Sequence, residues 1–540
     1  KADATQFNTG VINLAASTPL TIRSDGGAIS INSIMGADSG DNDVTINAND
    51  DYDGDNDGET IATETITIGA VGSADEIGKL TLDAADGITL TGNITLANAA
   101  LADLDINSKV FISGDVTIDT DNATHDGLVD FASTIDGVNG GDDDDLIILA
   151  GDTAQGGILT LGGAIGSTQA LTTLNINATD GDISFTVPQV GDGSGAAGVT
   201  GATAFGFSGS GDIIFSNGGA NAYNFGGALT VTSDGGAGAF QFTGSDPTLT
   251  AGGAVAFNEG SGTDDTMVLA DLKDLTIDTS AANANVTLPN IDGTAGDGDD
   301  QTDFTVDAGS GTVDVQSIDT DINDVIITGS TITLNGDITT AAGTGGGADA
   351  ASIDLNGAVV IAGGTRTLTS GNGTIDFSST VNSEASQTRA LELASGSGAV
   401  AINGTVGAGT DGTLGNLTIN SAGTGNITLS TVGADAAAGA AVIAVGNGDT
   451  GTLTLSGVDY HSGSSSQTYT GDTILITGTA PTFTASNANI SFVDGATADI
   501  TLSDAAALTI RTSGGNIDIE PEIKGTTDGD NTNVTLNAGG

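Results

Sequence analysis

The sequence predicts an all-β chain wound as a parallel β-helix (a β-solenoid), and three observations carry that expectation. Residues 10–32 (GVINLAASTPLTIRSDGGAISIN) return without a gap at residues 498–520 (ADITLSDAAALTIRTSGGNIDIE). Short apolar–Thr–apolar runs recur from one end to the other. The acids are lopsided, with 62 Asp against 8 Glu, beside 85 Gly in 540 residues.

The echo comes first because internal repetition is the signature of solenoid architecture. Leu20-Thr-Ile-Arg23 matches Leu508-Thr-Ile-Arg511 in a chain with only four arginines, and Val44–Ala48 (VTINA) matches Val534–Ala538 (VTLNA). The strands come next. Leu80-Thr-Leu82, Ile94-Thr-Leu96, Leu159-Thr-Leu161, Leu275-Thr-Ile277, Ile332-Thr-Leu334, Leu417-Thr-Ile419 and Leu453-Thr-Leu455 all alternate with period two. Such alternation buries one face and wets the other, and Thr suits the pleated surface. Corners follow from Gly, Asn and Asp, which tolerate positive φ or hydrogen-bond their own turn. Glu would favour helix, and no helical stretch of more than ten residues is expected. If a coil takes roughly 20–25 residues, the chain holds about 25 coils and makes a rod on the order of 120 Å long. An array of β-sandwiches is the competing architecture. Sandwiches use larger core residues, whereas aromatics here are 4% and Trp is absent.

No proline-rich linker interrupts the chain, so residues 1–540 read as one continuous β-solenoid. The start at Lys1 and the lack of a signal peptide read as a mature or excised piece, expected to be a segment of a longer repetitive protein. Residues 201–260 stand apart, with seven of the fifteen Phe (205, 207, 215, 225, 240, 242 and 257) beside Tyr223. Alternation in Phe205-Gly-Phe207 and Phe240-Gln-Phe242 favours rings stacked inside successive coils. The other reading is an exposed aromatic face for glycans.

Charge narrows the partners. A net charge of −61, from 70 acids and 9 bases, leaves nothing to neutralise nucleic-acid phosphates or to hold an anionic membrane. The most apolar stretch, residues 436–445, is too short to span a bilayer, so no membrane insertion is expected. Absence of Cys excludes disulfide stapling and suits export in unfolded form.

The strongest chemical motif is DGDNDGETIATE at residues 53–64, which fits the spacing D-x-[DN]-x-[DN]-G-x5-E. Asp53, Asp55, Asp57 and Glu64 are the candidate calcium ligands, and calcium is the one cofactor expected. The flanks are strand-like, which excludes a true EF-hand. Residues 140–147 (GGDDDDLI) resemble half of a calcium-loaded β-roll nonapeptide, and the clusters at 296–303 and 528–530 are further acidic turns. For all of these the competing reading is a solvated turn.

Catalysis finds little support. His125 and His461 are isolated, and no nucleophile elbow, zinc motif or P-loop occurs. Asp319, Asp321 and Asp324 are one possible carboxylate cluster, but the chain is expected not to be an enzyme. The Asn-x-Thr/Ser triplets at Asn93, Asn285, Asn426 and Asn489 follow from Asn at a corner before a strand.

Strand, Gly/Asp corner and Gly-Asn-Ile-Thr-Leu strand, best seen at residues 10–32, 174–187, 417–433 and 498–520, resemble the repeat regions of filamentous-haemagglutinin-like exoproteins and giant bacterial surface adhesins. The resemblance implies a right-handed parallel β-helix, export to the cell surface or medium, and a role in adhesion, biofilm matrix or surface filaments. The leading expectation is therefore an extracellular fibre or adhesin shaft. Its expected partners are further copies, joined end to end or side by side, and a glycan or cell-surface receptor. The alternatives are a calcium-dependent surface-layer or matrix-binding module and a polysaccharide-active β-helix enzyme.

Overall fold

The computed structural model describes residues 7–539 except 25–26, 38–41, 50–63, 74, 97–102, 122–126, 139–142, 151–157, 179–183, 208–210, 234–237, 259–265, 295–301, 320, 342–349, 409–411, 421, 434–438, 496–498, 504–506 and 527–532. Every regular element among the described residues is a β-strand. The strands pair in parallel and stack into a β-solenoid of about 17 turns. Two compact units result. The first holds Lys1–Val268 and Ile277–Ala282, the second Leu269–Thr276 and Asn283–Gly540.

In the first unit each coil has three strand positions. Thr65–Val71 bends across the first and second faces, pairing with Gly87–Leu90 on one and Ile94 on the other. The third face is laid down by Leu20–Arg23, Asp43–Ala48, Lys79–Ala84, Leu104–Ile106, Leu128–Phe131 and Ile158–Leu161, each paired with the next. Corners are tight where Ile66, Ile88 and Val110 succeed one another in register. The coil that carries Ile29 onto Ile66 takes many more residues. Coils of such unequal length make the turns fewer than an even, short coil would give.

The second unit repeats the plan. Val325–Leu334 and Ala351–Ile361 bend across its first and second faces, and the third runs from Ile291 through Ile318 and Ile338. Apolar columns run through it. On the first face Phe304, Val325, Ile353, Ile375, Val400, Ile427 and Leu453 fall in register on successive coils. On the third, Leu368, Leu393, Ile419, Val445, Tyr469 and Phe492 do the same. All of these are 0–1% exposed. Their outward neighbours are mostly Thr, Ser, Asp and Ala, so the sequence alternation is the in–out alternation of the coil.

The opening echo is carried by different faces. In the first unit Leu20–Arg23 lies on the third face, and in the second unit Leu508–Thr512 lies on the second, paired with Thr482–Ala485. Ile12 sits on a second face while Ile500 sits on a first. Ile29 sits on a first face and Ile517 on a third. The match is therefore strand for strand but one face out of step. It repeats the strand–corner–strand grammar, not a whole coil.

The Phe-rich stretch is interior. Phe205, Phe207, Phe215, Phe225, Phe240, Phe242 and Phe257 are 0–1% exposed. Phe215 stacks on Phe242 at 4.6 Å, and Phe240 meets Phe257 edge-on at 5.4 Å. These rings fill coils that the rest of the chain fills with Val, Ile and Leu. The exposed aromatic face considered from the sequence is excluded by their burial.

Candidate functional site

A single corner device recurs on all three faces. An Asn or Asp directly before an inward apolar residue turns its Oδ1 toward the N–H of its register neighbour on the next coil. Asn93 accepts from Thr117, Asn285 from Thr312, Asn426 from Thr452 and Asn489 from Asn516, each at 2.9 Å. Aspartates do the same: Asp103 accepts from Leu128 at 3.1 Å, Asp212 from Ala239 at 2.8 Å and Asp337 from Thr367 at 2.9 Å. The side chain continues the ladder by one acceptor where the backbone turns away. This device accounts for much of the Asx at the corners, and sequence reasoning alone does not reveal it. Its signal is present, as Asx immediately before apolar–Thr–apolar, but a bond to a residue one whole coil onward shows only once coils are stacked.

Of the expected calcium loop, Asp53, Asp55 and Asp57 lie outside the described residues. Glu64 is 4% exposed, and its N–H donates to Asp86 Oδ2 at 2.9 Å while its carbonyl accepts from the Asp86 N–H at 3.0 Å. Within residues 140–147, Asp144 is 4% exposed and binds protein donors, the N–H groups of Gly114 and Val138 at 3.0 and 2.9 Å. Among the described residues no three His, Cys, Asp or Glu side chains form a set that could hold a metal. His125 lies outside the described residues. His461 stands on the second face of its unit in register with Thr484, which is in register with Arg511. Burial, and then the Arg511 charge, hold its pKa below the usual value. Arg511 Nε donates to Thr484 Oγ1 at 3.1 Å, at an open groove of about 420 Å³ lined also by Ser486, Ser513 and Asn537.

The possible carboxylate trio is divided by the fold. Asp319 and Asp321 act on Asp292, whose pKa is raised by burial and then by those two charges. Asp324 belongs elsewhere, beside Asp303 and Asp354. Carboxylates also stack in register as Asp105 on Asp130 and Asp354 on Asp376. Burial, followed by the neighbouring charge, raises the pKa of Asp130 and of Asp354. The opposite case is Asp192, held at about 2 by donors from Ser194 and Ala196.

Compared with family models, with curated proteins and with solved structures, the chain matches none.

Proposed function

We propose that this chain is the shaft of an extracellular bacterial surface fibre or adhesin, related in kind to the filamentous-haemagglutinin-like exoproteins. The observation that carries the reading is the repeated coil itself. Inward columns stay apolar through coil after coil, corners are stapled by Asx side chains, and outward positions are mostly small or polar. In such a fold each unit contacts only its neighbours, so length is gained by adding coils, which is what a spacer or fibre needs. A core without disulfides agrees with export in unfolded form followed by folding outside. The acidic outer surface keeps neighbouring shafts apart until cations screen it, so self-association is expected to depend on salt or divalent ions.

Electron microscopy of the purified protein tests the reading. Rods, or filaments of rods joined end to end or side by side, support it. Compact particles without an extended axis would sink it, as would retention of the native protein in the cytoplasm on immunogold labelling.

A further inference from the structure

One corner column of the second unit departs from all the others. At most positions an Asx corner is followed on the next coil by Thr, Asn, Leu or Ala. Here three aspartates follow one another: Asp303 N–H donates to Asp274 Oδ1 at 2.9 Å, and Asp324 N–H donates to Asp303 Oδ1 at 3.1 Å. Asp324 in turn accepts from Ser352 N–H at 2.6 Å. The carboxylates thus stand one coil apart, a spacing of about 4.8 Å. No Lys, Arg or His among the described residues forms an ion pair with Asp303 or Asp324.

Asn323 adds a second and independent observation. It is 5% exposed, and its Nδ2 donates to Asp303 Oδ1 at 3.3 Å. Its own Oδ1, bonded to the same carbon, has no hydrogen-bond donor. A buried amide oxygen without a donor is a costly arrangement, and an ordered water or a bound ion relieves it. Carboxylate and amide oxygens can only accept. The oxygens of Asp303, Asp324 and Asn323 therefore ask for positive charge, and the described protein residues bring them none.

We propose that Asp303 and Asn323 form the heart of a calcium site, with Asp274 and Asp324 supplying the surrounding negative field. All-oxygen donors of mixed type suit Ca²⁺, which accepts carboxylate, amide and water oxygens in irregular geometry. Mg²⁺ demands a near-regular octahedron, and zinc prefers nitrogen and sulfur. The set contains an amide beside its carboxylates, so it is not a cluster of three acidic ligands. The raised pKa of Asp303, caused first by burial and then by Asp274 and Asp324, is what a bound cation would reverse.

The test is calorimetric titration of Ca²⁺ into the full chain in about 0.5 M NaCl, which screens diffuse binding to the acidic surface. A saturable event is expected, weakened at least about tenfold in Asp303→Asn and unchanged in Asp130→Asn, which removes a stacked carboxylate elsewhere. Asn323→Leu keeps the volume but removes the orphaned oxygen. It should lose the rise in melting temperature that Ca²⁺ gives the parent, even if Asp303→Asn fails to fold. Equal stabilisation of parent and Asn323→Leu by Ca²⁺ would overturn the proposal. So would Mg²⁺ matching Ca²⁺ at equal concentration, or binding that never saturates.

Discussion

At the scale of single residues, the corner Asx is the unit of organisation. Asn426 shows why: it is exposed, yet its Oδ1 is the acceptor for Thr452 N–H at the point where the backbone ladder ends. Removing one acceptor from a partly wet site costs about 1 kcal/mol, at the low end because water can replace it. Asn426→Ala should therefore speed amide exchange at Thr452 several-fold, while Asn426→Asp, which keeps the acceptor, should leave it near the parent rate. Equal acceleration in both variants would show that the side-chain bond contributes nothing. Buried tyrosines do related work. Tyr460 Oη accepts from Gly457 N–H at 2.8 Å and donates to Leu429 O at 3.0 Å, closing a corner from the inside. The type of residue at these corners was legible in the sequence, since Asx and Gly before an alternating run mark a turn. Their partners were not legible, because each partner lies a whole coil onward, at a separation set by corners of unequal length.

At the scale of the strand, alternation decides which side chains enter the core, and stacking decides what they meet there. Phe257, on Val255–Asn258, touches Phe240 at 5.4 Å, Phe242 at 6.1 Å and Phe215 at 6.3 Å. A coil interior is close-packed, and truncating such a ring removes transfer energy and leaves a cavity, together about 3–5 kcal/mol. Phe257→Ala is expected to accelerate amide exchange in Ala239–Phe242 by about a hundredfold or more while strands of the second unit keep their rates. Unchanged protection in Ala239–Phe242 would mean that the ring cluster is not a cooperative part of its coils. The inward direction of these rings could be read from Phe–x–Phe spacing. Which rings meet could not, since Phe215 and Phe242 face each other only because the corners between them bring their strands into register.

Over the whole molecule, charge sets how stability responds to solution conditions. Asp119, Asp130, Asp292, Asp303, Asp354 and Asp376 all have pKa values raised from 3.8, with burial as the first cause. A raised carboxylate binds its proton more tightly in the folded state than in the unfolded chain. Stability therefore increases as pH falls through the raised values toward 3.8, and is lost as pH rises through them. Asp192 pulls the other way: held at about 2, it favours the fold above 3.8, and that contribution is lost as pH falls toward its own value. His461, with its pKa lowered from 6.5, also favours the fold at higher pH and loses that contribution as pH falls. Asp192 is unchanged above 3.8, so six raised carboxylates stand against one histidine, and the melting temperature should rise as pH falls from about 7 toward about 4. High salt should shrink the difference without abolishing it, because screening removes the charge repulsion and leaves the burial. A melting temperature that is lower at about pH 4 than at about pH 7 would contradict this ordering.

The sequence by itself determined the strand content, the inward and outward positions, the corner chemistry and the acidity, because each depends on neighbours close along the chain. Only the tertiary structure decided register. It placed the two copies of Leu-Thr-Ile-Arg on different faces, parted Asp324 from Asp319 and Asp321, and set Asn323 against Asp303. Register depends on the length of every corner from one coil to the next. Those lengths are far from uniform: the coil from Phe304 to Val325 is short, and the one from Ile29 to Ile66 is long. No local pattern counts that distance; it is settled by whole apolar columns closing on one another at once.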